Sequence, residues 1–394
     1  ALSYISLETL EKLSVTNYQI CARFFCGTKS LSDFLMLKAL YQASICGRAP
    51  LTRASAGECG KKYCLAVLFM IATLLFTACN GTDLQTQKTN VPQEDENLIM
   101  IGVSQLGSES MWRTANTNSL RETFSRDNGY FLLFDNARQK QENQIKAIRS
   151  FISQRVDYIV FSPIVEDGWD TVLEEAKEAG IPVIIMDRNV NVDDDSLYTA
   201  WIGSNFEKEG EDAGRWLEDE LRGKKFSDDQ VNIVVLQGTA NSTAMIGRTE
   251  GFNKIAAEHD NWNILACEDA DFTTAKGKEV MQEYIDRYAD IDVIVSQNDD
   301  MTFGALETLR ENGMTTGTGG DITLISFDGT KTALEKVKSG VINVDVECNP
   351  ILAPDIESII SKLENGQSVD KINYVEEKVF TQKNVLSVLD DRKY

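Results

Sequence analysis

From residue 98 to residue 363 the chain alternates between short apolar runs rich in Val and Ile and longer segments whose apolar residues recur every three or four positions. The short runs read as buried strands and the longer segments as amphipathic helices, so the alternation points to parallel sheets covered by helices. The strand candidates fall in two sets. The first is 99–104, 130–134, 158–162, 183–186 and 199–202; the second is 232–236, 263–266, 293–296, 323–327 and 342–346. In the first set, Ile145, Ile148 and Ile152 share one helical face, and Trp169, Val172, Leu173, Ala176 and Ala179 share another. Gly180 ends that second helix and Pro182 opens the next strand. Helical patterns at 206–221, 245–258, 274–287 and 302–312 separate the second set, 351–363 adds an amphipathic helix, and 371–380 alternates like an edge strand. The expected fold class is α/β, with two doubly wound parallel-sheet lobes whose polar rims face a common cleft, the natural place for a ligand.

The first strand lies in the stretch LIMIGVSQLGSESMWR and runs into a polar turn where Ser110 is placed to cap a helix. Polar residues gather at this and other strand ends. Glu109, Trp112 and Arg113 follow the first strand, Asp187 and Arg188 the fourth, and Arg248 sits in a later helix. Asn298, Asp299, Asp300 and Asp328 follow later strands, and Asn349 comes after the last. Planar side chains with paired donors or acceptors can grip vicinal hydroxyls, and an indole such as Trp112 can cover the apolar face of a sugar ring. This set suits a neutral polyhydroxylated ligand.

Catalysis finds less support. A glycosidase would need two of Asp187, Asp328 and Glu109, one of them protonated, whereas Arg113, Arg188 and Arg248 are expected to hold these carboxylates ionised. His259 is the only histidine, so a Ser-His-Asp arrangement is not proposed, and the residues 317–320, GTGG, lack the Lys-Ser/Thr of a phosphate loop. The loop of Asp193, Asp194 and Asp195 reads as solvated, and the sequence has no CxxC or Cys/His metal spacing. No catalytic residue, metal or cofactor is assigned, and the chain is not read as an enzyme.

The whole sequence carries a net charge of −22, and because residues 1–79 contribute +4 the remainder carries −26. Such an acidic body disfavours a nucleic-acid partner. Six of the eight cysteines fall in residues 1–79; Cys267 and Cys348, which remain, are expected as two buried thiols, with a bridge between them as the alternative. Lys61 and Lys62, an apolar run at 65–76 and then Thr77, Ala78 and Cys79 have the form of a bacterial lipoprotein signal, too short for a comfortable membrane span. Residues 1–60 are then expected to be an upstream extension, 61–79 the signal, Cys79 the lipidated first residue, and 80–96 a polar tether.

From Leu98 onward the chain resembles a type I periplasmic sugar-binding protein, the ribose- and galactose-binding group of ABC importers. Within that group GSESMWR, QKQENQIKAIRSFISQ, the pair Gly168-Trp169, IPVIIMDR, LQGT, DFTTAKGKEVM and QNDDM are similar to the galactofuranose-binding branch. The resemblance implies ligand contacts from Glu109, Ser110, Met111, Trp112, Arg113, Asp187, Arg188, Arg248, Asn298 and Asp328, with Asn349 at a hinge. Met111 stands where that branch has a small Gly, which bears on the room left for the sugar. It further implies lobes joined by a hinge of three crossovers near Gly203, Asn349 and Gln367, giving a first lobe of 97–203 plus 350–367 and a second of 204–349 plus 368–394. The function implied is capture of a monosaccharide for ABC permease and ATPase subunits, by a monomer held at the membrane by its lipid, in the periplasm or at the cell surface. A periplasmic sensor presenting its sugar to a separate receptor is the alternative; a sugar-responsive repressor is disfavoured, because a signal and an acidic tether stand where a basic helix-turn-helix would be.

Mass spectrometry of the membrane fraction is expected to find an acylated Cys79 at the start of the mature chain. Peptides from residues 1–60 in that mature protein would overturn the assignment.

Overall fold

The structure, a computed structural model, describes residues 98–222 and 230–394. The expected extension, signal, tether and Cys79 lie outside the described residues.

The first five strands are β1 (Ile99–Gln105), β2 (Tyr130–Asn136), β3 (Tyr158–Phe161), β4 (Val183–Met186) and β5 (Ala200–Gly203). The next five are β6 (Val231–Gln237), β7 (Trp262–Asp269), β8 (Val293–Ser296), β9 (Thr323–Asp328) and β10 (Val344–Glu347), followed by the short β11 (Ile372–Tyr374) and β12 (Val379–Thr381). They form two six-stranded sheets in the orders β11-β5-β4-β3-β1-β2 and β12-β10-β9-β8-β6-β7. Every residue of β3, β4, β5, β8 and β10 is buried, which is why β3, β4 and β5 read as unbroken runs without charge, whereas β10 buries Asp345 and Glu347 as well. In each sheet the strand order reverses beside the first strand, so the chain leaves β1 and β3, or β6 and β8, toward opposite faces and opens a crevice at their carboxyl ends.

Helices α1 (Met111–Thr123), α2 (Gln141–Gln154) and α3 (Asp170–Glu178) cover the first sheet. The second carries α4 (Phe206–Leu221), α5 (Thr243–Ala256), α6 (Thr274–Arg287), α7 (Asp299–Glu311) and α8 (Lys331–Ser339). α9 (Ala353–Glu364) returns to the first lobe, where Ile356, Ile359 and Ile360 join Ile101, Val103 and Leu120 in one core, and α10 (Leu386–Leu389) lies near the C-terminus. Caps make these strand-to-helix junctions sharp. Ser110, Asn205, Ser242, Thr273, Asn298 and Thr330 each accept a backbone N–H from the first turn of their helix. Among the described residues no helix is long and apolar enough to cross a membrane.

The chain passes between sheets three times: from β5 to α4, from β10 to α9, and from β11 to β12. The third passage differs from the expected one near Gln367. β11 pairs in parallel with β5 in the first sheet and β12 pairs antiparallel with β10 in the second, so 368–374 adjoin the first lobe. A two-residue alternation is the same on either sheet, and nothing in 371–380 signals that the chain changes partner halfway. The cysteines also differ from expectation. Cys348 is buried, but Cys267 is exposed on the edge strand β7, and both are free.

α4 and α5 approach so closely that only glycine fits at their contact. A Cβ on Gly251 would fall 1.9 Å from the Glu207 carbonyl oxygen, and one on Gly210 would fall 2.3 Å from that of Arg248. Gly251→Ala is expected to lower the unfolding free energy by roughly 2 kcal/mol, since backbone rather than a flexible side chain must move. Urea titration measures this, and a loss under about 0.5 kcal/mol, the range of inert surface changes, would show that the helices part easily.

Candidate functional site

A cavity lies where the carboxyl ends of the two sheets face each other. The first lobe contributes Glu109, Ser110, Trp112, Arg113, Asp187 and Arg188. The second contributes Phe206, Ala244, Arg248, Phe272, Asn298 and Asp328, and Cys348 lines it from the second passage between the lobes.

Position follows from backbone. Ser110 caps α1, which sets Arg113 one turn above Glu109, and the two pair at 3.0 Å. Asp187, the residue after β4, adopts a φ of 61° and accepts from both Arg113 Nη2 at 2.7 Å and the Ser162 hydroxyl at 2.9 Å. Arg188 donates to the Ile164 carbonyl at 2.9 Å and lies over the Phe272 ring at 5.4 Å. Arg248 Nε pairs with Glu209 at 2.6 Å, its Nη2 lies 3.5 Å from Asp328, and its Nη1 donates to the Gln297 carbonyl. Asn298 spends its side chain locally, accepting from the Met301 N–H and donating to the Phe272 carbonyl.

Three buried arginines thus face three carboxylates, Arg113 and Arg188 beside Glu109 and Asp187 and Arg248 against Glu209, a formal balance that leaves little net field for an ion to exploit. Three buried polar atoms at the site have no protein partner: Glu109 Oε2, Arg113 Nη1 and Asp328 Oδ2. Glu109 Oε2 offers an acceptor, Arg113 Nη1 a donor and Asp328 Oδ2 a donor or an acceptor according to its protonation, all flanked by Trp112, Phe206 and Phe272.

The lobes touch across the cleft. The Met111 N–H donates to Asp300 at 2.9 Å, the Trp112 indole to the Cys348 carbonyl at 2.7 Å, and the Asn189 N–H to Thr243 at 3.1 Å. Trp112 also packs into the core of the second lobe, beside Phe206 and Met301.

Most of the expected residues meet here, and two do not. The Met111 side chain is 38% exposed and borders an outer groove with Asn118, Ile351 and Tyr394, so it does not narrow the cavity. Asn349 lies at the second passage, its N–H donating to Glu377 and its side chain accepting from the Ile351 N–H. Phe206, Ala244, Phe272 and Cys348 were not anticipated. Three of them sit within two residues of a helix cap or on the turn before one, so the signal was their place beside the polar strand ends, which a search confined to polar types passes over.

Burial, reinforced by Arg113 and Arg248, pushes Arg188 down to about 10, still cationic at neutral pH. The expectation that arginines hold every carboxylate ionised fails at Asp328. Burial pushes its carboxyl well up against the pull of Arg248, and Asp299 and Asp300 add to the rise. Beneath it, Asp299 accepts from Ser326 and twice from Thr330, and burial raises it to about 6. Asp345 holds the Gly329 N–H at 3.0 Å with one oxygen while the other has no partner, and burial with Asp299 and Asp328 nearby pushes it well up. This group keeps protons that water would remove.

The periplasmic binding protein domain family matches residues 101–350. Over 299 residues the chain is 36% identical to the galactofuranose-binding protein YtfQ of Escherichia coli (strain K12), spanning 75% of this chain and 92% of that protein. It is similar to a solved structure from Mycobacterium smegmatis in complex with β-D-fucofuranose, at 39% identity and a TM-score of 0.71, covering 75% of this chain and 95% of that one. It is similar also to the periplasmic binding component of the arabinose ABC transporter from Shewanella sp. ANA-3, bound to α- and β-L-arabinofuranose, at 39% identity and a TM-score of 0.69 with the same coverage.

The carboxyl cluster generates a pH dependence with a definite sign. A group whose folded pKa is raised contributes stability that is complete below its unfolded pKa of about 4 and is lost as pH rises through the folded value. With Asp299 raised to about 6, the native state loses stability as pH rises from about 4 through 6, and the raised Asp328 and Asp345 add to that loss in the same direction. Asp345→Asn keeps an acceptor for Gly329 and removes one ionisation. Its thermal midpoint is expected to fall less than that of the wild type between pH 5 and pH 8, and parallel curves would mean that Asp345 does not titrate there.

Proposed function

The chain belongs to the periplasmic binding protein family, and on that premise we propose that it captures a monosaccharide in furanose form, galactofuranose foremost, in the cleft between its lobes. The observation that carries this reading is the balanced set of arginines and carboxylates around the cavity, with Glu109 Oε2, Arg113 Nη1 and Asp328 Oδ2 buried and unpartnered among aromatic rings. A neutral polyol satisfies such atoms without bringing a charge into a site already balanced, and its C–H faces suit Trp112 and Phe272. The similar proteins support the ring form: their names and titles refer to galactofuranose, fucofuranose and arabinofuranose, all five-membered rings.

Glu109, Ser110, Trp112, Arg113, Asp187, Arg188, Arg248, Asn298 and Asp328 are the proposed ligand contacts. Sugar bridging the lobes favours the closed arrangement because only there does it touch both rims. The captured sugar passes to the permease and ATPase of an ABC importer, and Cys79, once lipidated, keeps the monomer at the membrane surface. Binding without chemistry fits Asp187, which is held by Arg113 and Ser162 and is placed to grip rather than to transfer a proton.

Isothermal titration with galactose is expected to show an apparent affinity that scales with the minor furanose fraction of the solution, and small-angle scattering a smaller radius of gyration with the sugar. Asp187→Ala, with its fold checked by circular dichroism, should weaken binding by about 2 kcal/mol, roughly thirtyfold, because Arg113 loses a charge-assisted partner. Tight binding of glucose or ribose with no response to galactose would reject the furanose assignment and leave the sugar-binding class standing.

A further inference from the structure

Behind the cavity, the passages between the lobes bring Glu209, Cys348 and Glu377 together, with one potential ligand atom from each lying within 4.8 Å of the others. Glu209 stands in the first turn of α4, just past the first passage, Cys348 belongs to the second passage, and Glu377 to the third. The three are widely separated in sequence, which is why no metal spacing is visible there.

Glu209 is 3% exposed; its Oε2 pairs with Arg248, and its Oε1 is buried with no donor assigned to it while the carboxyl lies within hydrogen-bonding reach of Glu377 and Cys348. Glu377 Oε1 accepts from the Ser204 hydroxyl at 2.5 Å and from the Asn349 N–H at 2.9 Å, and the Cys348 sulfur lies 3.3 Å from the same hydroxyl. Two carboxylates and a thiol with a hydroxyl beside them make a mixed oxygen and sulfur donor set. Thiolate selects against Mg²⁺ and Ca²⁺, which take oxygen, and four mixed donors suit a tetrahedral ion such as Zn²⁺. Charge agrees: a divalent ion with Arg248 offsets two carboxylates and a thiolate, so the site buries no net charge. Glu209 and Glu377 also line a groove with Lys208, Asp212 and Tyr374, none of which lines the sugar cavity.

We propose that Glu209, Cys348 and Glu377 form a site for a Zn²⁺-class ion at the passages between the lobes. An ion held there fastens all three passages to one centre, so its binding stabilises the folded chain whether or not sugar is present. The site adjoins the sugar cavity, since Cys348 lines that cavity and Arg248 pairs with Glu209, but its donors are held by the passages between the lobes and not by the ligand in the cleft.

The test uses the reduced full chain after chelator treatment, titrated with Co²⁺ as an optical stand-in and then with Zn²⁺. The expected result is a thiolate-to-cobalt absorption band at one equivalent, displaced by Zn²⁺ and lost in Cys348→Ser. Cys267→Ser should leave the band unchanged, and Zn²⁺ should raise the thermal midpoint of the wild type. Glu377→Gln keeps an acceptor for Ser204 and Asn349, so it tests the ligand without dismantling the fold, and its Co²⁺ affinity should fall at least tenfold. Identical titrations of the wild type and Glu377→Gln, or of the wild type and a folded Cys348→Ser, would overturn the site. So would a wild type with no thiolate band and no thermal response to Zn²⁺, since a proton shared by Glu209 and Glu377 would then be the occupant.

Discussion

A guanidinium cannot be buried unless its surroundings answer its charge, and Arg248 is 2% exposed. Leaving such a cation unpaired costs roughly 3–5 kcal/mol, so the structure around it is constrained on every side. Glu209 must reach it from α4, which requires α4 and α5 to lie in near contact, and Gly210 and Gly251 make that contact possible. Asp328 must come to it from the end of β9, and the Gln297 carbonyl from the end of β8. One charge thereby fixes the helix pair, two strand ends and one wall of the cavity. The rings of Phe206 and Phe327, 5.6 and 5.0 Å away, close the remaining faces.

The same logic runs through the opposite wall. Arg113 is tied to Glu109 on its own helix and to Asp187 after β4, so a residue brought by a helix cap and one brought by a strand end lock each other. A binding surface built of such pairs is stiff before anything binds, and less ordering remains to be done at the moment of capture. Both walls therefore offer the ligand groups whose orientation is already decided by protein partners.

How much of this was legible from the residues depended on distance along the chain. Val183–Met186 is apolar throughout and Val293–Ser296 apolar up to its last residue because both their faces are buried, and their ends delivered Asp187, Arg188 and Asn298 to the cavity as their positions implied. Met111 had the same kind of address and turned outward, since which way a residue faces after a cap is settled by a single turn, whereas Asn349 lies at the second passage, where the resemblance put a hinge. The parting of β11 from β12 was invisible because each is three residues long and finds its sheet through a partner far away in sequence. Asp345 was passed over for a related reason: in sequence it is one polar residue within an apolar strand, and its company of Asp299 and Asp328 exists only after folding. Local chemistry was readable, whereas encounters between distant segments were not.

The returning helix α9 also fixes an order of events. Ile356, Ile359 and Ile360 close one face of the first sheet against Ile101, Val103 and Leu120, and β11 supplies that sheet's last edge. A chain emerging from its N-terminus therefore reaches residue 203 with five strands made and one apolar face covered only in part, by Leu120 and Phe124. It must hold that half-built layer open while nearly all of the second lobe is synthesised. The late arrival of α9 keeps the nascent chain loose and threadable until close to its end, and it makes the finished lobes mutually dependent, so that neither can be cut away as a contiguous piece.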